Sequence, residues 1–231
     1  MNDPLPQETA GDEMHRATRA ALSAIPYVGG AAVEYFNRLL APPLQRRRDA
    51  WLNALAEQVA KMERQGRVKV EDLQNNEEFI STVMQALMVA VRNHRREKLE
   101  ALTNAVLNVA VGHSPDDAKR EMFLTLVDTF SVWHLQVLSL LSSPQAGTDV
   151  SQLALDLTCG RRQEVMKVVL AAHQELREQQ EFAKKILEDL ISAGLLLSGD
   201  PFGISKGTQS MPCLTRLGGE FMRLISKPEG Q

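Results

Sequence analysis

Apolar residues recur at every third or fourth position along most of this chain, and polar residues fill the positions between them. This spacing places the apolar side chains on one face of a helix. The longest stripe lies between Pro43 and Gly66 and predicts one long amphipathic helix that ends near Gly66. We interpret its apolar face as core rather than as a dimer seam; the face comprises Leu44, Trp51, Leu52, Leu55, Val59 and Met62.

The residues before this helix predict two shorter helices. The first is expected over 13–24 and stops before Pro26, because the residue that precedes a proline is disfavoured in helical geometry. A tight turn over 27–30 follows, and a second short helix from Ala31 is expected to end at Pro42 and Pro43. Residues 1–12 are rich in proline and polar side chains, which predicts a flexible tail.

The next apolar stripes predict either two helices or one bent helix, closed by Gly112 as a C-cap. A further helix is expected to begin with Ser114 as its cap and Pro115 at its first position. The predicted buried faces are Phe79, Ile80, Val83, Met84, Leu87 and Val91, then Leu99, Leu102, Val106 and Val109, and then Met122, Phe123, Leu126, Val127 and Phe130.

Toward the C-terminus, helices are followed by a strand signal. One longer helical stretch is expected to continue through this region and to end at Gly194 as its C-cap. Its apolar residues are Val165, Val168, Val169, Leu176, Phe182, Ile186, Leu187, Leu190 and Ile191. Leu195–Leu197 and Cys213–Thr215 predict two short strands around a loop rich in glycine, proline and serine. A last helix is expected at Arg216–Ile225.

Residues 131–226 resemble the winged variant of the helix-turn-helix. The strings DLISAGLL and LTRLGGEFMRLI carry the resemblance, together with a short helix expected over 150–157. The predicted fold is therefore mainly α. An N-terminal helical bundle with long amphipathic helices is expected over 13–130, followed by a winged-helix-like module with a small two-stranded wing over 131–226 and a tail over 227–231.

Composition agrees with a helical protein inside the cell. Hydrophobic residues make up 44% of the 231 positions and aromatic residues 5%, which indicates a core of leucine, valine, alanine and methionine. The polar N-terminus lacks the pattern of a signal peptide, and the most apolar stretch, 20–33, falls short of the about 20 residues that span a bilayer. We expect a cytoplasmic location, with Cys159 and Cys213 as buried thiols.

The sequence offers no recognisable catalytic, metal or cofactor site. The five histidines are scattered, and paired carboxylates such as Asp116 and Asp117 are adjacent in sequence, so they do not face each other on a helix. His134, beside Trp133, is interpreted as a packed residue at a helix start rather than as a general base. We therefore expect no enzymatic activity, no cofactor and no small-molecule substrate.

The leading functional expectation is binding to a protein partner or to a second copy of the chain. DNA binding is the first alternative, with Gln180, Lys184 and Lys185 on a recognition helix and Lys206 in the wing. Residues 131–231 contain ten basic and eleven acidic side chains, a poor balance for phosphate binding. Membrane binding is the second alternative, and its residues are Ile25, Tyr27, Val28, Gly29, Gly30 and Phe36.

The whole chain also resembles a family of uncharacterised bacterial proteins. The strings IPYVGG, APPLQRRRDAW, EKLEALTNAVLN and WHLQVLSLLSSP carry this resemblance. The IPYVGG turn and its flanking helices are also similar to the Abi-alpha domain of phage abortive-infection systems. This similarity implies a role in defence against phage and supplies no catalytic residues.

Overall fold

A computed structural model describes residues 30–142, 162–197 and 213–228, and these are mainly helical, as expected. The segments predicted at 1–12, 13–24, 150–157 and 198–212 lie outside them. The described residues contain one short 3-10 turn, Gln174–Leu176, and nine α-helices: α1 (Gly30–Arg64), α2 (Val70–Gln74), α3 (Glu77–Arg92), α4 (Arg96–Ala110), α5 (Asp117–Thr129), α6 (Val132–Ser142), α7 (Arg162–Ala172), α8 (Gln180–Ser192) and α9 (Arg216–Ile225).

Helix α1 runs unbroken through Pro42 and Pro43, so the prediction that these prolines end a helix is wrong. A proline ring holds φ near the helical value, and its cost is a missing N–H and crowding of the carbonyl four residues earlier. Those carbonyls belong to Arg38 and Leu39, whose exposed positions allow water to replace the lost donors. The helix ends shortly before Gly66, as predicted, and that glycine has a φ of 70°.

The chain forms two compact units, residues 1–54 and 55–231, and the division falls inside α1. The predicted boundary between residues 130 and 131 therefore lies within the second unit. Three of the six residues of the apolar stripe of α1 are buried, Trp51, Leu55 and Met62, and the other three are half-buried. The interpretation as a core face is therefore confirmed in part.

Helices α3, α4 and α5 pack against one another in the second unit. Asn76 caps α3, since its side chain accepts a hydrogen bond from the Phe79 backbone N–H at 3.0 Å. α3 and α4 are separate helices, which decides between the two arrangements that the sequence left open. Gly112, with a φ of 78°, follows the end of α4 as predicted.

The start of α5 differs by two residues from the prediction. Asp116 rather than Ser114 is the cap, because its side chain accepts a hydrogen bond from the Lys119 N–H at 3.1 Å. A carboxylate also complements the positive end of the helix dipole. Ser114 instead donates to Glu78 of α3 at 2.7 Å and accepts from Arg120 at 2.8 Å, so its hydroxyl connects two helices.

The last helix, α9, has the predicted bounds and packs mainly on α4. Asn108 of α4 is 3% exposed, and its Nδ2 donates to the carbonyl oxygens of Arg223, Leu224 and Ser226 at 3.1, 2.8 and 2.8 Å. Carbonyls at a helix C-terminus have no helical N–H partner, so this side chain supplies the missing donor. Pro228, inside the predicted tail, is buried.

The two strands predicted before α9 are reduced, in the described residues, to one antiparallel bridge between Leu196 and Leu214. Beside it, the Thr215 N–H donates to the Leu195 carbonyl at 3.0 Å. The ladder stops there because Thr215 is already the cap of α9, accepting the Gly218 N–H at 2.9 Å. A strand cannot continue through a residue that begins a helix.

Candidate functional site

The membrane or partner residues predicted from the sequence are mostly beyond what the structure describes. Gly30 begins α1, and Phe36 is exposed on that helix. The remaining predicted residues of this set, and the wing lysine of the DNA hypothesis, lie outside the described residues: Ile25, Tyr27, Val28, Gly29 and Lys206.

The face of α8 that was predicted to contact DNA is exposed. Gln180, Lys184 and Lys185 lie at the surface, whereas the opposite face is buried. Lys185 bonds to Asp189 at 2.6 Å, which raises the pKa of Lys185 and lowers the pKa of Asp189. This pairing reduces the positive charge that α8 presents to a phosphate. Phe182, on the same helix, is 38% exposed.

The turn after α8 holds the start of α9 in place. Gly194 has a φ of 72°, the left-handed geometry predicted for this helix end. Thr215 Oγ1 donates to the Gly194 carbonyl at 2.6 Å. A Cβ on Gly218 would lie 2.1 Å from the Leu195 carbonyl oxygen, so α9 approaches this backbone at a distance that glycine alone permits. The turn after α8 and the start of α9 are thus fixed to each other.

Cys213 is buried and disulfide-bonded, so the expectation of a free thiol is wrong for this residue. The other cysteine of the chain, Cys159, lies outside the described residues. Disulfides are rare in reducing compartments. This bond therefore gives no support to the expected cytoplasmic location.

An exposed apolar ridge on α3, the α3 stripe, was not foreseen from the sequence. It consists of Ile80, Met84 and Met88, which are 39, 50 and 53% exposed and follow one another at four-residue intervals. The sequence placed Ile80 and Met84 in the core, and that prediction is wrong. Leu87 and Val91 are buried as predicted, and Thr82, Ala86, Val89 and Ala90 complete the buried side.

The reason lies in the composition of α3, which is apolar around most of its circumference. Helical periodicity then indicates a helix without indicating which side is covered. Small residues allow neighbouring helices to approach closely, so the side with the alanines packs inward and the larger methionines remain outside. Two alanines one turn apart, opposite a row of methionines, are the sequence signal that would have located the stripe.

A second exposed apolar group lies on the first half of α1, and we call it the α1 cluster. It consists of Tyr35, Phe36, Leu39 and Leu40, which are 66, 43, 53 and 39% exposed. The rings of Tyr35 and Phe36 meet edge to face with centroids 6.0 Å apart. Large apolar side chains grouped on one exposed face are characteristic of interaction surfaces.

His134 lies at the start of α6, as the sequence predicts, and is 7% exposed. Its Nδ1 accepts the Ser131 backbone N–H at 3.1 Å and lies 2.8 Å from Ser131 Oγ. The ring proton therefore belongs on Nε2, which lies 3.5 Å from Asp189 Oδ2 without hydrogen-bond geometry. The ring also stacks on Phe130 with centroids 4.7 Å apart. This geometry caps a helix, which confirms the interpretation of His134 as a packed residue.

Lowering the pH is expected to destabilise the protein through His134. Burial lowers the pKa of this imidazole, an effect that Asp189 opposes and that Lys98 and Lys185 reinforce. The unfolded chain therefore binds the proton more tightly than the folded protein does, and stability falls as the pH drops below the unfolded value of about 6.5. Urea unfolding from about pH 8 to about pH 5.5 measures this loss.

The same urea titrations on the His134→Gln variant test whether His134 is the titrating group. The glutamine side-chain oxygen can accept the hydrogen bond from the Ser131 N–H, but it does not titrate. The variant should show a flatter dependence of unfolding free energy on pH. Some dependence will persist, since burial also lowers the pKa of His173. Equal slopes for the variant and the wild type would show that His134 is not the titrating group.

Arg120 of α5 forms the most extensively bonded charged group in the described bundle. Its side chain is 5% exposed and forms an ion pair with Glu78 of α3 and another with Asp117 at 2.6 Å. Ser114 supplies a third acceptor. Its acceptors come from α3, from the start of α5 and from the loop before α5, so the group joins two helices.

The described residues contain no group of three or more His, Cys, Asp or Glu side chains placed to hold a metal ion. No single helix among them has the length and hydropathy to cross a bilayer, although α5 and α6 pass that test as a pair bent by 120°. Comparison of the chain with protein-family models, with curated proteins and with solved structures gives no match.

Proposed function

We propose that this chain is a non-enzymatic bacterial interaction protein that binds a protein partner, or a second copy of itself, through the α3 stripe. The exposure of Ile80, Met84 and Met88 is the observation that supports this proposal. Side chains at four-residue intervals form a ridge about 12 Å long, which fits between the ridges of another helix. Methionine adapts its shape to different partners.

The α3 stripe lies on a helix that is held at both ends. Glu78 pairs with Arg120 near its start, and Arg92 pairs with Asp128 at 2.7 Å at its end. The opposite side of the helix packs on α4 and α5. A surface that is already ordered loses little conformational entropy when a partner binds, so its buried apolar area contributes more fully to affinity.

The test is affinity capture from native lysate by the tagged full-length chain, compared with its Met84→Glu variant. A stoichiometric protein retained by the wild type and lost with Met84→Glu is the expected result, and self-association is read by sedimentation of the purified chain. Met122→Glu is the matched control, because Met122 is an exposed methionine, 37% accessible, on a different helix, α5. Equal capture by both variants would rule out the α3 stripe.

A winged-helix DNA-binding regulator is the second candidate. It is supported by the exposure of Gln180 and Lys184 on α8 and by the bridge that follows this helix. Nuclease treatment in the same capture separates the two candidates. DNA binding would fall steeply with salt and be lost in Lys184→Glu, whereas retention on the α3 stripe would be insensitive to nuclease.

A role in phage defence rests on the resemblance to the Abi-alpha domain. Phage plating on cells with and without the chain tests it directly. Fewer plaques in cells that carry the wild type, and a normal number with Met84→Glu, would connect defence to the α3 stripe.

A further inference from the structure

Helix α1 presents a surface whose chemistry differs from that of the α3 stripe. We propose that the first half of α1 binds an anionic lipid surface. The α1 cluster enters the outer acyl region, while Arg46 and Arg47 contact the lipid phosphates. This proposal is independent of the partner that binds the α3 stripe.

The argument starts from the positions of these residues around the helix axis. Successive residues of a helix are rotated by about 100°, so the four residues of the α1 cluster occupy an arc of about 140°. Arg46 and Arg47 fall within the same arc, between one and two turns beyond Leu40, and both are exposed. Arg48 falls outside the arc. One face of α1 thus passes from apolar to basic along its length.

The positions of the arginines suit a helix that lies in the plane of the interface. Such helices bury their apolar face by about 5–10 Å. Arg46 is six residues beyond Leu40, a rise of about 9 Å along the axis, so the arginines lie beside the α1 cluster on the same face. Arginine side chains are long enough to reach the lipid phosphates while their aliphatic stems remain in the apolar layer.

Charge pairing separates these two arginines from their neighbours. Arg38 lies 3.6 Å from Glu34, and Arg48 pairs with Asp49 at 3.0 Å. Within the described part of the chain, Arg46 and Arg47 form no ion pair, and Arg46 Nε instead donates to a backbone carbonyl. Two exposed cations without carboxylate partners, beside an apolar cluster, are complementary to anionic lipid.

Two other occupants of this face are disfavoured by charge. The segment 13–29 contains Arg16 and Arg19 against a single carboxylate, Glu13, so it offers little to two further arginines. A second copy related by two-fold symmetry would present the same face, on which the α1 cluster is apolar and both arginines are basic. Neither neutralises Arg46 and Arg47, whereas a bilayer of anionic lipid does.

The experiment is flotation of the full-length protein with vesicles of phosphatidylcholine, with and without phosphatidylglycerol. We expect binding to the anionic vesicles that weakens with salt, and much weaker binding to neutral ones. Arg47→Glu should reduce partitioning by about tenfold or more, because each basic side chain near an anionic surface contributes about 1 kcal/mol. Arg48→Glu is the matched control: it makes the same change of charge on the opposite side of the helix and should float like the wild type.

Leu39→Asp should abolish flotation without changing the thermal unfolding temperature, because Leu39 is already 53% exposed in the folded protein. A wild type that stays at the bottom of the gradient with anionic vesicles would overturn the proposal. So would equal losses in Arg47→Glu and Arg48→Glu. A Leu39→Asp protein that unfolds at a lower temperature would show that the α1 cluster is covered by protein. Met84→Glu should float normally, which keeps this test separate from that of the α3 stripe.

Discussion

Gly218→Ala is expected to lower the free energy of unfolding by about 3 kcal/mol, the upper end of the usual cost of overpacking. The added Cβ would lie 2.1 Å from the Leu195 carbonyl oxygen. That oxygen cannot move away freely, because it accepts the Thr215 N–H at 3.0 Å beside the bridge. The change should therefore separate α9 from the turn after α8. Urea unfolding followed by circular dichroism measures the loss.

Gly219→Ala is the matched control one position along the same helix. A Cβ there meets nothing within 4 Å. Alanine inside a helix is more favourable than glycine by roughly 0.5–1 kcal/mol, so this variant should be slightly more stable than the wild type. If the two substitutions had equal effects, the close approach of α9 to Leu195 would not be a constraint on the fold.

Asn108→Asp is expected to destabilise the protein by about 3–5 kcal/mol near neutral pH, although it changes no heavy-atom position. The asparagine Nδ2 donates to three carbonyl oxygens at the end of α9. An ionised aspartate would place a buried negative charge against those oxygens and against the negative end of the helix dipole. The free energy of unfolding, from urea titration at several pH values, tests this.

The pH dependence gives this prediction a specific signature. Burial beside carbonyls would raise the pKa of the new carboxyl above its unfolded value, so the folded state would bind the proton more tightly. The deficit should therefore shrink as the pH falls and grow as it rises. Asn104→Asp is the control, because Asn104 is half-buried and donates to one carbonyl, that of Ile225. A deficit that does not change with pH would contradict this account.

The sequence predicted helix ends well where backbone geometry decides them. Gly66, Gly112 and Gly194 all have positive φ at the positions expected for helix ends, and α9 has the expected bounds. The single helical stretch expected up to Ile191 is instead divided into α7, the 3-10 turn Gln174–Leu176 and α8. The prediction that a helix ends at Pro42 and Pro43 was wrong because proline destabilises a helix interior without excluding it. The energy lost at such a site is small enough for the rest of a long helix to offset.

The surfaces were harder to predict than the helices. Periodicity identified α3 and its apolar character, but which side is buried depends on how α4 and α5 pack against it, which periodicity does not specify. Phe36 is a similar case: its helical apolar spacing was predicted correctly, but its 43% exposure depends on tertiary packing that periodicity does not specify. His134 was predicted correctly because its partners, Ser131 and Phe130, lie within four residues of it.

The bond between Asn108 and the end of α9 has a consequence for how the chain is made. Arg223 and Asn108 are separated by 115 residues, so α4 is synthesised long before the carbonyls that its asparagine binds. Phe123 is likewise synthesised long before Phe221, against which it packs with ring centroids 5.3 Å apart. The second unit therefore cannot close its core until α9 has been synthesised. Any truncation that removes α9 leaves a polar amide and apolar side chains exposed together, a combination that chaperones and proteases recognise.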